Sequence, residues 1–155
     1  MLSAVQSGFM LIRLRESHSD TLIQSKQFYL EDEFAHECVD WTEDDIHKRV
    51  AIAPGTISIG TNCDHKVIPV EINVINSEPP TNLREWDHLV QCGINVSSGS
   101  VVVSGWFNSW KEASRIALPQ GSYIARVCFG NQYFCNGLSS EGMAPGMSTL
   151  LTEFF

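Results

Sequence analysis

Along most of the chain, apolar and polar residues alternate with a period of two. Between Val67 and Ile75, the residues Val70, Ile72 and Val74 fall on one side, with Glu71 and Asn73 opposite. This is the pattern of a strand buried on one face. His88, Val90, Cys92, Ile94 and Val96 share a second such face, with Gln91 and Asn95 across from them. Ser97-Ser98-Gly99-Ser100 then turns the chain into Val101-Val102-Val103-Ser104-Gly105-Trp106, so the two runs predict a β-hairpin. Tyr123, Ala125, Val127 and Phe129 alternate with Ile124, Arg126 and Cys128. Thr21 to Leu30 predicts another strand, and Phe9 to Leu14 a first strand or an ordered arm. Thr56 to Ile59 and Ile116 to Leu118 predict shorter strands, and Ser148 to Phe155 a last one. Pro79-Pro80 takes residues 77–82 out of any sheet, because proline cannot donate to a ladder. Pro119-Gln120-Gly121 reads as a turn, and the Gly-, Asn- and Ser-rich residues 131–146 as loop.

The alternation breaks at Trp41-Thr42-Glu43-Asp44-Asp45-Ile46. Thr42 suits an N-cap, and Asp45 stands three residues on, as in a capping box. Trp41 and Ile46 occupy the two positions of a hydrophobic staple. Glu43, Asp44 and Asp45 lie at the positive end of the helix dipole, Lys48 and Arg49 towards its negative end. One short helix is therefore expected over about residues 43–50, with Pro54-Gly55 ending the helical stretch. Many short strands around a single helix predict a mainly β fold, an antiparallel β-sandwich, with residues 1–155 forming one domain.

Composition narrows the function. With 43% hydrophobic and 18% charged residues, the chain reads as soluble and globular. Its formal charge of -8 argues against direct binding to nucleic acid or to an anionic membrane, since both need a basic face. No apolar run approaches the length of a membrane span. Residues 1–14 lack the basic start and cleavage site of a signal peptide. The five cysteines are scattered and form no CxxC, as expected of free thiols in a reducing cytoplasm.

The acidic residues are concentrated. Glu31, Asp32, Glu33, Glu37, Asp40, Glu43, Asp44 and Asp45 run together with no Lys or Arg among them. Helix capping explains the last three and not the rest. The surplus is either a solvated acidic surface or a docking face for a basic partner. Other chemistry is thinner. His36-Glu37-Cys38 and Cys63-Asp64-His65 offer two His/Cys pairs to a zinc ion, but one-residue spacers are not the usual zinc spacing, and no metal or cofactor is expected. Asp87, His88 and Cys92 could form a thiol couple, yet His88 and Cys92 fall on the apolar strand face, where packing explains them. No GxSxG, P-loop, GxGxxG or HExxH is present, so no catalytic residue is assigned. Trp86 reads as core. Trp106 and Trp110, flanking Phe107-Asn108-Ser109, are either core lids or aromatic anchors for a partner.

Trp41-Thr42-Glu43-Asp44-Asp45-Ile46 followed by Gly55-Thr56-Ile57-Ser58-Ile59 resembles the signature of the competence protein ComJ family. Gln27-Phe28-Tyr29-Leu30 before it, and Ile116-Ala117-Leu118-Pro119-Gln120-Gly121-Ser122-Tyr123 after it, are similar to further family motifs. The likeness runs from about Thr21 to Phe129. Arg49-Val50 departs from a more usual Gly-aromatic pair, and the tail lacks a Leu-Trp-Pro ending. The resemblance implies a cytoplasmic, non-enzymatic bacterial protein that binds and silences a DNA-degrading nuclease. Charge and local pattern, rather than any family motif, nominate Asp32, Glu33, Glu37, Asp40, Glu43, Asp44, Asp45, Trp106 and Trp110 as the partner-binding residues. The competing expectation is a β-sandwich module for a different protein or a small ligand.

Overall fold

The structure is a computed structural model that describes residues 6–15, 19–23, 27–35, 37–61, 66–67, 70–80, 84–105, 110–130 and 151–154. Its strands are β1 (Gln6–Arg15), β2 (Ser19–Ile23), β3 (Gln27–Asp32), β4 (Val50–Ala53), β5 (Thr56–Gly60), β6 (Lys66–Val67), β7 (Val70–Ile75), β8 (His88–Val96), β9 (Ser100–Gly105), β10 (Ser114–Ala117), β11 (Gly121–Gly130) and β12 (Leu151–Phe154), with one helix, α1 (Glu43–Lys48), between β3 and β4. Two five-stranded sheets carry the fold. The first has the order β12-β7-β1-β11-β8 and the second β10-β9-β3-β5-β4, while β2 and β6 pair separately. Most pairings are antiparallel; β1 with β11 and β12 with β7 are parallel.

The period-two pattern accounts for the packing. Met10, Ile12 and Leu14 of β1 and Tyr123, Ala125, Val127 and Phe129 of β11 point to the same side as Val70, Ile72 and Val74 of β7. They form one apolar cluster with Phe28 and Leu30 of β3, Ile57 and Ile59 of β5, and Val101 of β9 from the second sheet. The two sheets thus face each other as a sandwich, the expected fold class. Removing each of the large side chains from water stabilises the fold by about 1.5–3 kcal/mol.

The segment between β7 and β8 has to cross the outer face of the first sheet, because β1 and β11 lie between those strands. Arg126 of β11, 6% exposed, holds it there. Its guanidinium donates to the Pro79 carbonyl at 2.7 Å, to Glu78 at 2.6 Å and to the side-chain oxygen of Gln91. Arg13 and Glu71 add an ion pair on the same face.

Several elements differ from expectation. The residues from Phe9 to Leu14 are no arm, but part of a ten-residue strand inside the first sheet. Thr21 to Leu30 is divided between β2 and β3, which belong to different sheets. The helix stops at Lys48: Arg49 takes up φ 65 and donates its N–H to the Ile46 carbonyl, and Val50 opens β4. Pro54-Gly55 is instead the turn from β4 to β5, with Gly55 at φ 72. Arg49 therefore fills a left-handed position that glycine adopts more easily. Its guanidinium lies 4.4 Å from the Phe129 ring centroid, a favourable cation–π geometry. Trp86 packs against Gly130, where a Cβ would come within 3.3 Å of the indole.

A candidate partner-binding face

The acidic run leaves β3 and reaches α1 along the outer side of the second sheet. Three observations trace its path. Ala35 donates to the Asp32 carbonyl, and its Cβ lies 3.1 Å from where a Gly55 Cβ would stand. The outward-facing Tyr29 of β3 is half-buried, and burial, then Glu31 and Cys38, pushes its phenol up. Trp41 then lays its ring over Gly60, where a Cβ would meet the indole at 3.3 Å and the Arg49 carbonyl at 3.4 Å, so glycine lets the ring lie close at this crossing. Beneath it, Ala51, Thr56 and Ser58 are almost fully buried, although they lie on the outward side of their strands.

The far end is fixed by the capping box. Asp45 N–H donates to Thr42 Oγ1 at 3.1 Å, and Thr42 N–H donates back to Asp45 Oδ2 at 3.0 Å. The Thr42 N–H, and then the Thr42 hydroxyl donating to the same Oδ2 at 2.8 Å, hold the Asp45 carboxyl below its ordinary range. No residue of α1 is buried. Ile46, expected to staple onto Trp41, stands 61% exposed.

The other nominated residues do not share one setting. Asp32 points inward and is 2% exposed. It accepts hydrogen bonds from the N–H and hydroxyl groups of Ser97 and Ser98, at 2.5–3.1 Å. Burial alone would raise its carboxyl, but these donors outweigh it and hold the group low. Asp32 is therefore the clamp on the β8–β9 turn. Glu33 pairs with Arg115 Nε at 2.7 Å, and that contact holds its carboxyl low. Glu37, Asp40, Glu43 and Asp44 are exposed. Asp44 pairs with Lys48 one turn on, whereas Glu37, Asp40 and Glu43 have no ion-pair partner among the described residues. Trp110 is joined to this region through Arg115, which donates to the Trp110 carbonyl at 2.9 Å and lies 5.8 Å from its ring centroid. Trp110 is 40% exposed. Trp106 lies outside the described residues.

Two contributors escaped the sequence reading. Arg115 ties Glu33 to the Trp110 loop, and no local pattern in the sequence announced it. Phe34, 65% exposed, interrupts the acidic run next to the half-buried Glu33.

Of the residues considered for zinc, Cys38 is exposed, and His36, Cys63 and His65 lie outside the described residues. Among the described residues no three His, Cys, Asp or Glu side chains converge as metal ligands would. His88 donates Nε2–H to the Lys48 carbonyl at 2.8 Å and packs on Phe129. Burial pushes the Cys92 thiol up to about 11, so it carries almost no thiolate at neutral pH. No described helix is long and apolar enough to cross a membrane.

Comparison with known proteins gives a consistent family. The family model of competence protein J (ComJ) matches residues 20–132. The crystal structure of ComJ from Bacillus subtilis, described as an inhibitor of the DNA degrading activity of NucA, superposes with a TM-score of 0.50 at 17% identity, covering 83% of this chain and 99% of that one. A structure described as crocagin biosynthetic gene J gives a TM-score of 0.52 at 12% identity, covering 92% of this chain and 94% of the other. At these identities both likenesses speak to the fold. No curated protein sequence matches the chain.

Proposed function

Because the chain belongs to the competence protein J family, we propose that it is a non-catalytic, cytoplasmic inhibitor of a bacterial DNA-degrading nuclease. The observation that carries this reading is the family match over residues 20–132, which takes in the whole acidic segment, α1 and the sheet beneath them. The fold shared with B. subtilis ComJ, itself an inhibitor of NucA, supports it.

The physical means is charge mimicry. A nuclease that grips phosphates presents a basic cleft, and carboxylates fixed on a rigid support can occupy it as phosphates would. Glu37, Asp40, Glu43 and Asp44 supply exposed charge. Asp45 adds charge from within the cap, and Glu33 adds a share already partly neutralised by Arg115. Trp110 serves as the aromatic anchor, positioned by Arg115. Asp32 supports this face from below without touching the partner. Neither nucleic acid nor a membrane is bound directly.

The test is a plasmid-degradation assay with the non-specific nucleases encoded by the source organism, at low and moderate salt. Stoichiometric protection that weakens as salt rises is the expected result. Full degradation by every one of them, with the protein shown to be folded, would contradict the reading.

A further inference from the structure

The outer face of the first sheet is unequally covered. The segment after β7 crosses it where Arg126 bonds the Pro79 carbonyl. Beside that crossing lies a recess of about 650 Å³. Strand pairing lays its floor in two rows. Phe9, Ile124 and Gly93 align across β1, β11 and β8, and Ser7, Ser122 and Asn95 align in the next row. Two strand residues separate the rows, which puts them about 7 Å apart. β4 of the second sheet closes one side. It runs along β8, with the Lys48 carbonyl on His88 at one end and Gly55 against the Asn95 carbonyl at the other, and its Ile52 lines the recess. Asn76, where the chain leaves β7, lines the opposite side.

Gly93 is a residue that the fold itself does not require. Its backbone is not left-handed. A Cβ there would find nothing nearer than the Tyr123 carbonyl at 3.9 Å. Glycine inside a strand costs about 0.5–1 kcal/mol relative to alanine, and it often marks the close approach of a ligand. Its missing side chain leaves open space between Ile124, 39% exposed, and Ile52, 58% exposed. The polar row has bonding capacity to spare. The Ser122 hydroxyl donates to Asn95 Oδ1 at 2.7 Å, and the Asn95 Nδ2–H groups have no partner among the described residues. No charged side chain lines the recess. Arg126, two residues along β11 from Ile124, is engaged by Pro79, Glu78 and Gln91.

We propose that this recess binds a small uncharged molecule with a flat apolar ring and a carbonyl acceptor, of the class of aromatic amides. The ring lies over the bare backbone of Gly93, between Ile52 and Ile124, and the carbonyl accepts from Asn95 Nδ2 in the next row. Neutrality follows from the lining. A cation would find no carboxylate there, and an anion would find no cation in a chain of net charge -8. The volume, the apolar walls and the few converging polar groups are those of a small-molecule site. The recess belongs to the first sheet and the acidic segment to the second, so this site is separate from the proposed nuclease face.

The test follows the backbone amide NMR signals of Gly93, Asn95, Ser122 and Ile124 as naphthamide, benzamide or acetanilide is added. Naphthoate and naphthylmethylammonium serve as charged counterparts of the first. At least one neutral amide should shift those signals saturably, and both ions should bind about tenfold more weakly or worse. Gly93→Val fills the recess with a side chain that suits a strand. It should melt no lower than the wild type and lose about tenfold or more in affinity. Asn95→Ala should weaken binding by about tenfold, the worth of one hydrogen bond, and serves if Gly93→Val fails to fold. Signals that none of the three neutral amides moves would overturn the proposal. So would an ion that binds as tightly as naphthamide, or binding that both folded variants keep. A folded Gly93→Val that loses nuclease protection would overturn it too, by giving the recess to the nuclease.

Discussion

Two segments cross the outer faces of this sandwich, and they use charge in opposite ways. Over the first sheet, residues 76–80 are held by Arg126, whose guanidinium is nearly buried and bonded to a carbonyl, a carboxylate and an amide oxygen. Over the second sheet, residues 33–42 are held at their ends, by Asp32 and by Trp41 with the Thr42 cap. Between those points Glu37 and Asp40 face water. Charge in the first crossing holds the chain to the sheet. Charge in the second is left over from that task, which is what a surface for a basic partner requires.

Substitutions should separate the two roles. The largest loss is expected for Arg126→Ala, which leaves the buried Pro79 carbonyl and Gln91 without their donor. Since Glu78 is 67% exposed at its end of the pair, the cost should be about 2–3 kcal/mol rather than that of a fully buried ion pair. Urea unfolding measures it, and Glu78→Gln should cost less than about 1 kcal/mol by the same method. Asp32→Ala follows, at about 2 kcal/mol, because the Ser97 and Ser98 N–H groups lose their acceptor. Asp32 also gives a pH signature. Its folded carboxyl is held below the unfolded value, so its contribution is complete above the ordinary carboxylate range and is lost as pH falls below about 4. A urea midpoint that drops on acidification in the wild type should drop less in Asp32→Asn.

Thr42→Ala should cost about 1 kcal/mol, the usual value of an N-cap, read as an earlier melting transition. Smallest of all is the joint change Glu37→Gln, Asp40→Asn and Glu43→Gln. These residues hold nothing down, so stability should move by no more than about 0.5 kcal/mol. A large loss there would erase the distinction between the two crossings.

Much of this was legible in the sequence. The alternation in β7, β8 and β11 named the inward residues correctly, and Thr42 with Asp45 named the cap. β4 was not legible, because Val50 and Ala51 are both buried and a four-residue strand offers no period to read. The division of Thr21 to Leu30 between β2 and β3 was missed, although the polar Gln24-Ser25-Lys26-Gln27 separates Leu22 and Ile23 from Phe28. Asp32 was grouped with its acidic neighbours by charge, yet strand parity places it with Phe28 and Leu30 on the inward side; period outranked charge there. The Glu33–Arg115–Trp110 link joins residues far apart in the chain, and no local pattern announces it.

The most direct test of the account is the rate at which the protein associates with a nuclease it protects against, followed across ionic strength for the wild type and for the Glu37→Gln, Asp40→Asn, Glu43→Gln variant. The wild type should associate about tenfold faster at low salt, and the two rates should converge as screening removes the long-range attraction. Equal rates at every salt concentration would contradict the claim that this segment's free carboxylates exist to meet a basic partner.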